Sequence, residues 1–205
     1  MLLPKEVITK YGKPKGIIHV GAHEGEEAVD YRVKGIDNVI WIEANEDLIP
    51  KIKANPHVRE QPVICAAVSN KDGEEVTFKI TNNFQSSSIL NLKEHLRHYP
   101  NITVTEERTV KTKTLDTIIE ENNIDMSKYD FMNIDIQGAD YLALKGMQKN
   151  LKYIRFIYIE VNFQEMYEGC GLFDDVKKLL EPQGFVLKEI VDTGVGWGDA
   201  VWVRE

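Results

Sequence analysis

An α/β fold built on a mostly parallel sheet, interrupted once by an insertion and closed by an antiparallel hairpin, follows from three features of the sequence. Short β-branched runs alternate with amphipathic stretches, the pattern of βαβ units with a buried parallel sheet. The rhythm breaks at about residues 74–113, where polar and period-two segments replace it. The chain then ends strand–turn–strand, which places its last two strands antiparallel.

The elements follow in order. Gly16-Ile17-Ile18-His19-Val20 is a first strand, leading through Gly21-Ala22-His23-Glu24-Gly25 into a helix that ends near Lys34. Residues 38–43 make a second strand, 46–54 a helix and 62–68 a third strand. Glu75 to Ile80 alternates with period two, as an edge or antiparallel strand does. A Ser/Asn-rich loop at 81–88 precedes a short helix from Leu90 to His98 that Pro100 stops, and 110–113 is extended. Thr114 caps a helix at 115–121; Tyr129 to Ile136 is a fourth core strand, and Ala139 to Asn150 a helix. Arg155 to Val161 is a fifth strand, Leu172 to Leu180 a helix stopped by Pro182 and Gly184, and 185–191 and 200–204 form the closing hairpin.

Composition narrows the functional classes. The 205 residues suit one domain spanning 1–205, with 42% hydrophobic and 28% charged residues, too apolar for a disordered segment. A net charge of −8 disfavours nucleic-acid backbones and anionic lipid as partners. No apolar run approaches the ~20 residues that cross a bilayer, and the Met1-Leu2-Leu3-Pro4 start is too short for a secretory leader. Two cysteines, Cys65 and Cys170, in no CxxC pair suit a reducing, cytoplasmic compartment.

The glycine-bearing turn lies where the first strand meets its helix, at the carboxyl edge where open α/β sheets bind ligands. Glycines bring backbone close to a ligand, and a helix start offers free N–H groups to an anionic part of it. The G-x-x-x-G spacing is neither a dinucleotide fingerprint nor a P-loop. Glu43 falls 18 positions after Gly25 at the end of the second strand, placed to accept hydrogen bonds from both hydroxyls of a ribose. Turn and acid together indicate a nucleoside-containing cofactor. The looser glycine spacing and the closing hairpin favour S-adenosylmethionine over NAD.

Ile18-His19-Val20-Gly21-Ala22-His23-Glu24-Gly25, Ile42-Glu43-Ala44-Asn45, Ala66-Ala67-Val68-Ser69, Asn133-Ile134-Asp135-Ile136-Gln137-Gly138-Ala139-Asp140 and Leu142-Ala143-Leu144-Lys145-Gly146 together resemble the FkbM family of S-adenosylmethionine-dependent methyltransferases. The resemblance covers roughly residues 16–203 and implies a Rossmann-like class I methyltransferase sheet whose enzymes mostly O-methylate sugars or sugar-bearing products. It implies that Gly21, Ala22, His23 and Gly25 border the methionine part of the cofactor, with Glu43 on the ribose. Ala66, Ala67 and Val68 then line the adenine slot, and Ala44 and Ile136 flank the same cofactor. Two departures stand out: His19 replaces an acid usual before Val-Gly-Ala, and Gln137 with Asp140 replace the usual glutamates. His19 and His23 sit on a strand and a turn rather than one helix face, which argues against a metal pair.

Asp135 ends the fourth strand and Glu160 the fifth, neighbouring positions across the crevice. A carboxylate beside a methyl donor orients an acceptor hydroxyl or takes its proton. Two such acids could instead hold a divalent ion; no metal ligand is assigned. The plain structural role for Asp135 is capping the helix that starts near Ala139. His95, on the helix of the insertion, is a candidate general base near neutral pH, and Ser87 in the Ser86–Ser88 run a candidate cofactor contact. Trp197 beside Asp199 suits stacking on a sugar, and Phe163, Met166 and Tyr167 are wall or core. The expectation is an O-methyltransferase of a sugar or glycan. Its rivals are O-methylation of a non-sugar small molecule and a cofactor-binding module without turnover. The sequence leaves the oligomeric state open.

Overall fold

Ile17–Val20 (β1), Val39–Glu43 (β2), Phe131–Ile134 (β7) and Phe156–Asn162 (β8) are buried along their whole length. Such runs fit the middle of a parallel sheet, where both faces are covered. In the computed structural model, which describes residues 3–205, they join Val63–Cys65 (β3), Phe185–Asp192 (β9) and Trp197–Arg204 (β10) in one seven-stranded sheet. Met1 and Leu2, part of the stretch read as too short for a leader, lie outside the described residues.

The strand order is β3-β2-β1-β7-β8-β10-β9, with all pairs parallel except β8–β10 and β10–β9. From β1 the chain winds outward to β2 and β3; from β7 it winds the other way, to β8. The switch point therefore falls between β1 and β7. Pro4–Tyr11 (α1), Ala28–Val33 (α2) and Ile49–Ala54 (α3) cover one face through Val7, Ile8, Ala28, Tyr31 and Ile52. Leu115–Glu121 (α5), Asp140–Lys145 (α6) and Phe173–Leu180 (α7) cover the other through Leu115, Ile118, Leu144, Val176 and Leu180. Each fully buried Ile or Leu contributes about 1.5–3 kcal/mol, and both faces carry many.

A second, three-stranded sheet forms the insertion. Ala67–Val68 (β4) pairs parallel with Val104–Lys113 (β6), which pairs antiparallel with Glu75–Thr81 (β5). The expected third strand at 62–68 is thus two: β3 ends at Cys65, and one residue later β4 enters the other sheet. The expected extended piece at 110–113 is the end of a ten-residue strand whose Val104–Arg108 half is largely exposed and has no apolar pattern to mark it. The Leu90–His98 helix shrinks to Glu94–His98 (α4), because Leu92 bridges to Tyr167 in extended form. The Ala139–Asn150 helix ends at Lys145, after which the chain turns to bury Met147 and Leu151. The final strand begins at Trp197 rather than Ala200, and α1 went unread in the sequence.

No helix among the described residues is long and apolar enough to cross a membrane.

Candidate functional site

Side chains alternate across a strand, so the register sorts the face beneath α1–α3 into rows. The lowest row is apolar: Val39, Ile17, Phe131, Phe156 and Val203. Next come Trp41, His19, Asn133 and Tyr158, then, at the carboxyl edge, Glu43, Asp135, Glu160 and Asp199. Polarity rises along the strands until acids rim a cleft of about 420 Å³ between this edge and the insertion.

The β1 turn and the β7 turn touch. Gly21 has φ +89°, and a Cβ there would lie 1.8 Å from the Asp135 carbonyl oxygen. Gly21 and Ala22 both donate their N–H to the Ile42 carbonyl. Glu43, 8% exposed, accepts the His23 N–H at 2.8 Å on one oxygen and the Asn45 N–H at 2.8 Å on the other. Burial raises its pKa, and these two amides pull the other way. His23, at φ +45°, sets its Nδ1 2.5 Å from Glu26, which raises the imidazole pKa.

Of the residues read as cofactor contacts, His19, Gly21, His23, Glu43, Ala44, Ala66, Ala67, Val68, Ser87, Asp135 and Ile136 line the cleft. Ala22 and Gly25 are not part of the lining, and both are buried. Ala22 packs into the core beside Ala28 and Ile52, and Gly25, at φ +74°, faces Val58 of the α3 side. Their role is the shape of the turn. His19 stacks on Trp41 at 5.0 Å and meets the Tyr31 hydroxyl at 3.2 Å. Burial pushes its pKa down to about 4, so it is a neutral ring beside Glu27 at neutral pH.

Asp135 lies one residue beyond β7, its N–H still bonded to the Val20 carbonyl. It does not cap α6, whose N-cap Ala139 has no side-chain cap; the Asp140 carboxylate instead closes the turn before the helix, accepting the Ile136 and Gly138 N–H groups at 2.9 Å each. Gln137, at φ +55°, ties the acids together. Its amide donates to Asp135 at 2.7 Å and to Glu160 at 3.3 Å, while its carbonyl oxygen accepts the Tyr167 hydroxyl at 2.7 Å. The Ser88 hydroxyl donates to the Gln137 backbone carbonyl at 2.7 Å, fastening the insertion to this turn.

Asp135 is open to the cleft yet ringed by protein, and this loss of solvent pushes its pKa up to about 6, with Asp199 adding to the shift. Glu160 is buried and held well above its ordinary value by burial first and by Asp135, Asp140 and Asp199 after it. Both carboxyls of the row are thus raised above their ordinary values, Asp135 to about 6. Burial and Asp135 push Asp140 up to about 7.

His95, 6% exposed, lines the cleft from the insertion, between the rings of Tyr99 at 4.8 Å and Tyr167 at 5.3 Å. Burial lowers its pKa, and its Nδ1 has no hydrogen-bond partner. Met166, Tyr167 and Trp197 also line the cleft, with the Trp197 indole N–H donating to the Tyr99 hydroxyl at 3.0 Å. Phe163 instead packs on Phe173 at the core. No group of three or more His, Cys, Asp or Glu among the described residues is arranged to hold a metal ion.

The sequence reading missed Asn133, Gln137, Tyr158 and Asn162 as cleft residues. The signal was present in β8, where Phe156, Tyr158, Glu160 and Asn162 share one face and Ile157, Ile159 and Val161 the other. A strand apolar on one side only, inside a parallel sheet, points its polar side at a cavity.

The strand order and the switch-point turn define a Rossmann-like α/β fold with its cleft at the carboxyl edge. Comparison with known proteins carries this further. The description "Methyltransferase FkbM domain" matches residues 19–187, and the chain belongs to the FkbM family of methyltransferases, whose methyl donor is S-adenosylmethionine. A relative, the 2-O-methyltransferase NoeI of Sinorhizobium fredii (strain NBRC 101917 / NGR234), is 33% identical over 101 residues, 49% of this chain and 39% of NoeI. The chain thus spans well under two thirds of that relative. Among solved structures, a protein of the NADB-Rossmann superfamily from Streptococcus agalactiae superposes with a TM-score of 0.52 at 13% identity, covering 100% of this chain and 69% of that one. The methyltransferase domain of bacterial CtHen1 gives 0.52 at 10% identity, covering 98% and 94%. At these identities the two structures speak for the fold alone.

Proposed function

We propose that this chain is an S-adenosylmethionine-dependent O-methyltransferase acting on a hydroxyl of a sugar or glycan. The observation that carries it is the row of Asp135 and Glu160 at the carboxyl edge, opening on the same cleft as the Gly21 turn and Glu43. The 2-O-methyltransferase activity in NoeI's name supports an oxygen acceptor.

The lining chemistry fits the cofactor. Six carboxylates and, among the described residues, no Lys or Arg line the cleft, a setting suited to a sulfonium and an ammonium group. Glu43 would hold the ribose hydroxyls, Ala66–Val68 the adenine, and Gly21, His23, Ala44, Ile136 and Ser87 the remaining edges. When bound, S-adenosylmethionine supplies the methyl group as an electrophile on sulfur. Gln137 fixes one oxygen of Asp135 and turns the other to the acceptor hydroxyl, whose proton Asp135 accepts as general base. Glu160 donates a hydrogen bond to a neighbouring acceptor oxygen and holds it in line. His95, with its free ring nitrogen, contacts the acceptor from the insertion.

Thermal unfolding with S-adenosylhomocysteine tests the cofactor. At about 100 times its Kd the ligand adds roughly 2.7 kcal/mol, a midpoint rise of about 5–11 °C, and NAD gives none. Asp135→Asn then separates enzyme from binding module: S-adenosylhomocysteine binds as before, while methyl transfer falls by about 10²–10⁴-fold. Unchanged transfer in Asp135→Asn would sink the assignment of the base.

A further inference from the structure

The cofactor accounts for the β1–β3 side of the cleft and leaves the β8–β10 side without an occupant. There Glu160 and Asp199 stand opposite each other in the β8–β10 register, and Asn162 stands opposite Trp197. Asn162 is 1% exposed, lines the cleft, and its side-chain oxygen has no donor. His95 Nδ1, buried on the facing wall, is likewise without a partner. A buried acceptor without a donor is costly, so whatever fills this space brings hydrogen-bond donors. Among the described residues the basic rings of the lining are His19, His23 and His95: burial lowers the pKa of His19 and His95, and His23, raised by Glu26, belongs to the β1 turn on the cofactor side. An anionic group entering here would meet carboxylates and no fixed positive charge.

We propose that the β8–β10 end of the cleft is a saccharide subsite that rejects anionic sugars and prefers one with a free amine, which Asp199 faces and Asn162 accepts a hydrogen bond from. This rests on the reading of the chain as a sugar O-methyltransferase and narrows it: phosphorylated, sulfated and uronate acceptors are excluded, and a hydroxylated ring with an unblocked amino group is favoured. Trp197, its indole N–H engaged by Tyr99, offers the apolar face on which such a ring lies.

The test titrates the full chain, saturated with S-adenosylhomocysteine, with three tetrasaccharides near neutral pH: glucosamine, N-acetylglucosamine and galacturonate. The glucosamine oligomer is expected to bind at least about tenfold tighter than the galacturonate oligomer, with the N-acetylated one between. The gap narrows at high salt, because the discrimination is electrostatic, and narrows again in Asp199→Asn. Asn162→Leu weakens the glucosamine oligomer most. Should Asp199→Asn fail to fold, the salt series on the unaltered chain still decides. Galacturonate binding equal to or tighter than glucosamine overturns the subsite, as does a preference indifferent to salt. If S-adenosylhomocysteine binds and no saccharide does, the sugar reading falls and the subsite with it; if S-adenosylhomocysteine itself fails to bind, the fault lies with the cofactor reading.

Discussion

At the β1–β2 side of the cleft, Glu43 gives both carboxylate oxygens to backbone amides and the glycine turn is pinned to Ile42. At the β8–β10 side, Asn162 and His95 carry buried atoms with no partner, and burial raises the Glu160 pKa well above its ordinary value. The first region is finished without a ligand; the second is completed by one. A common cofactor needs a rigid seat, and a substrate is selected by groups whose cost is relieved only when the right molecule arrives. Substitutions in the two regions should therefore fail in different ways.

The largest effect should come where the regions meet. Gly21→Ala forces a Cβ into the Asp135 carbonyl at a positive φ, so we expect both regions to be disturbed. Stability should fall by more than about 3 kcal/mol, read by denaturant unfolding, with S-adenosylhomocysteine binding lost. Retained binding with a normal midpoint would mean that the two turns are not in contact.

Glu43→Gln sharpens the contrast from the cofactor side. It leaves one of the two amides without its carboxylate and weakens S-adenosylmethionine by about 10–100-fold, roughly 1.4–2.7 kcal/mol. Acceptor KM should hardly change, and a shift confined to the acceptor would reverse the assignment of the halves.

Acid affects the two regions unequally. Asp140 and Glu160 have pKa values raised on folding, Asp140 to about 7. A group of this kind favours the fold fully below its unfolded value, near 4, and loses that contribution as pH rises through the folded value. The ligand-free midpoint should therefore climb as pH is lowered from about 8 to 5, and Glu160→Gln should flatten the climb. Activity should run the opposite way, declining as Asp135 is protonated near pH 6. A midpoint that falls steadily over this range would place the protons elsewhere.

The smallest effect belongs to Gly25→Ala. A Cβ there meets Val58 at 3.3 Å at a positive φ, which costs about 1 kcal/mol of stability. Because the residue is buried behind the turn, cofactor affinity should stay within a few-fold once the folded fraction is counted.

What the sequence made legible follows the same division. The parallel strands were readable as short apolar, β-branched runs between amphipathic stretches, and the positions of Asp135 and Glu160 near the carboxyl ends of β7 and β8 followed from them. The closing hairpin was readable from its glycines. The Val104–Arg108 half of β6 was not, since its strand character comes from pairing with β5 rather than from any buried face. Gly25 looked like a ligand contact because a glycine turn has the same sequence whether its backbone faces a ligand or a valine. Asn133 and Asn162 passed unnoticed because single amides inside apolar runs look like interruptions, until the register places them on one face.

The pairing of β5 with β6 has a consequence for how such an enzyme changes its substrate. Register runs from Glu75 opposite Lys111 to Thr81 opposite Val104, so the two ends of the segment 82–103 leave from adjacent points on a fixed ladder. That segment carries Ser87, His95 and Tyr99, and two further points inside it are tied to the rest of the molecule, Ser88 to the Gln137 carbonyl and Leu92 to Tyr167. Changes confined to the stretch between those ties can lengthen, shorten or recolour one wall of the cleft while the seven-stranded sheet stays as it is.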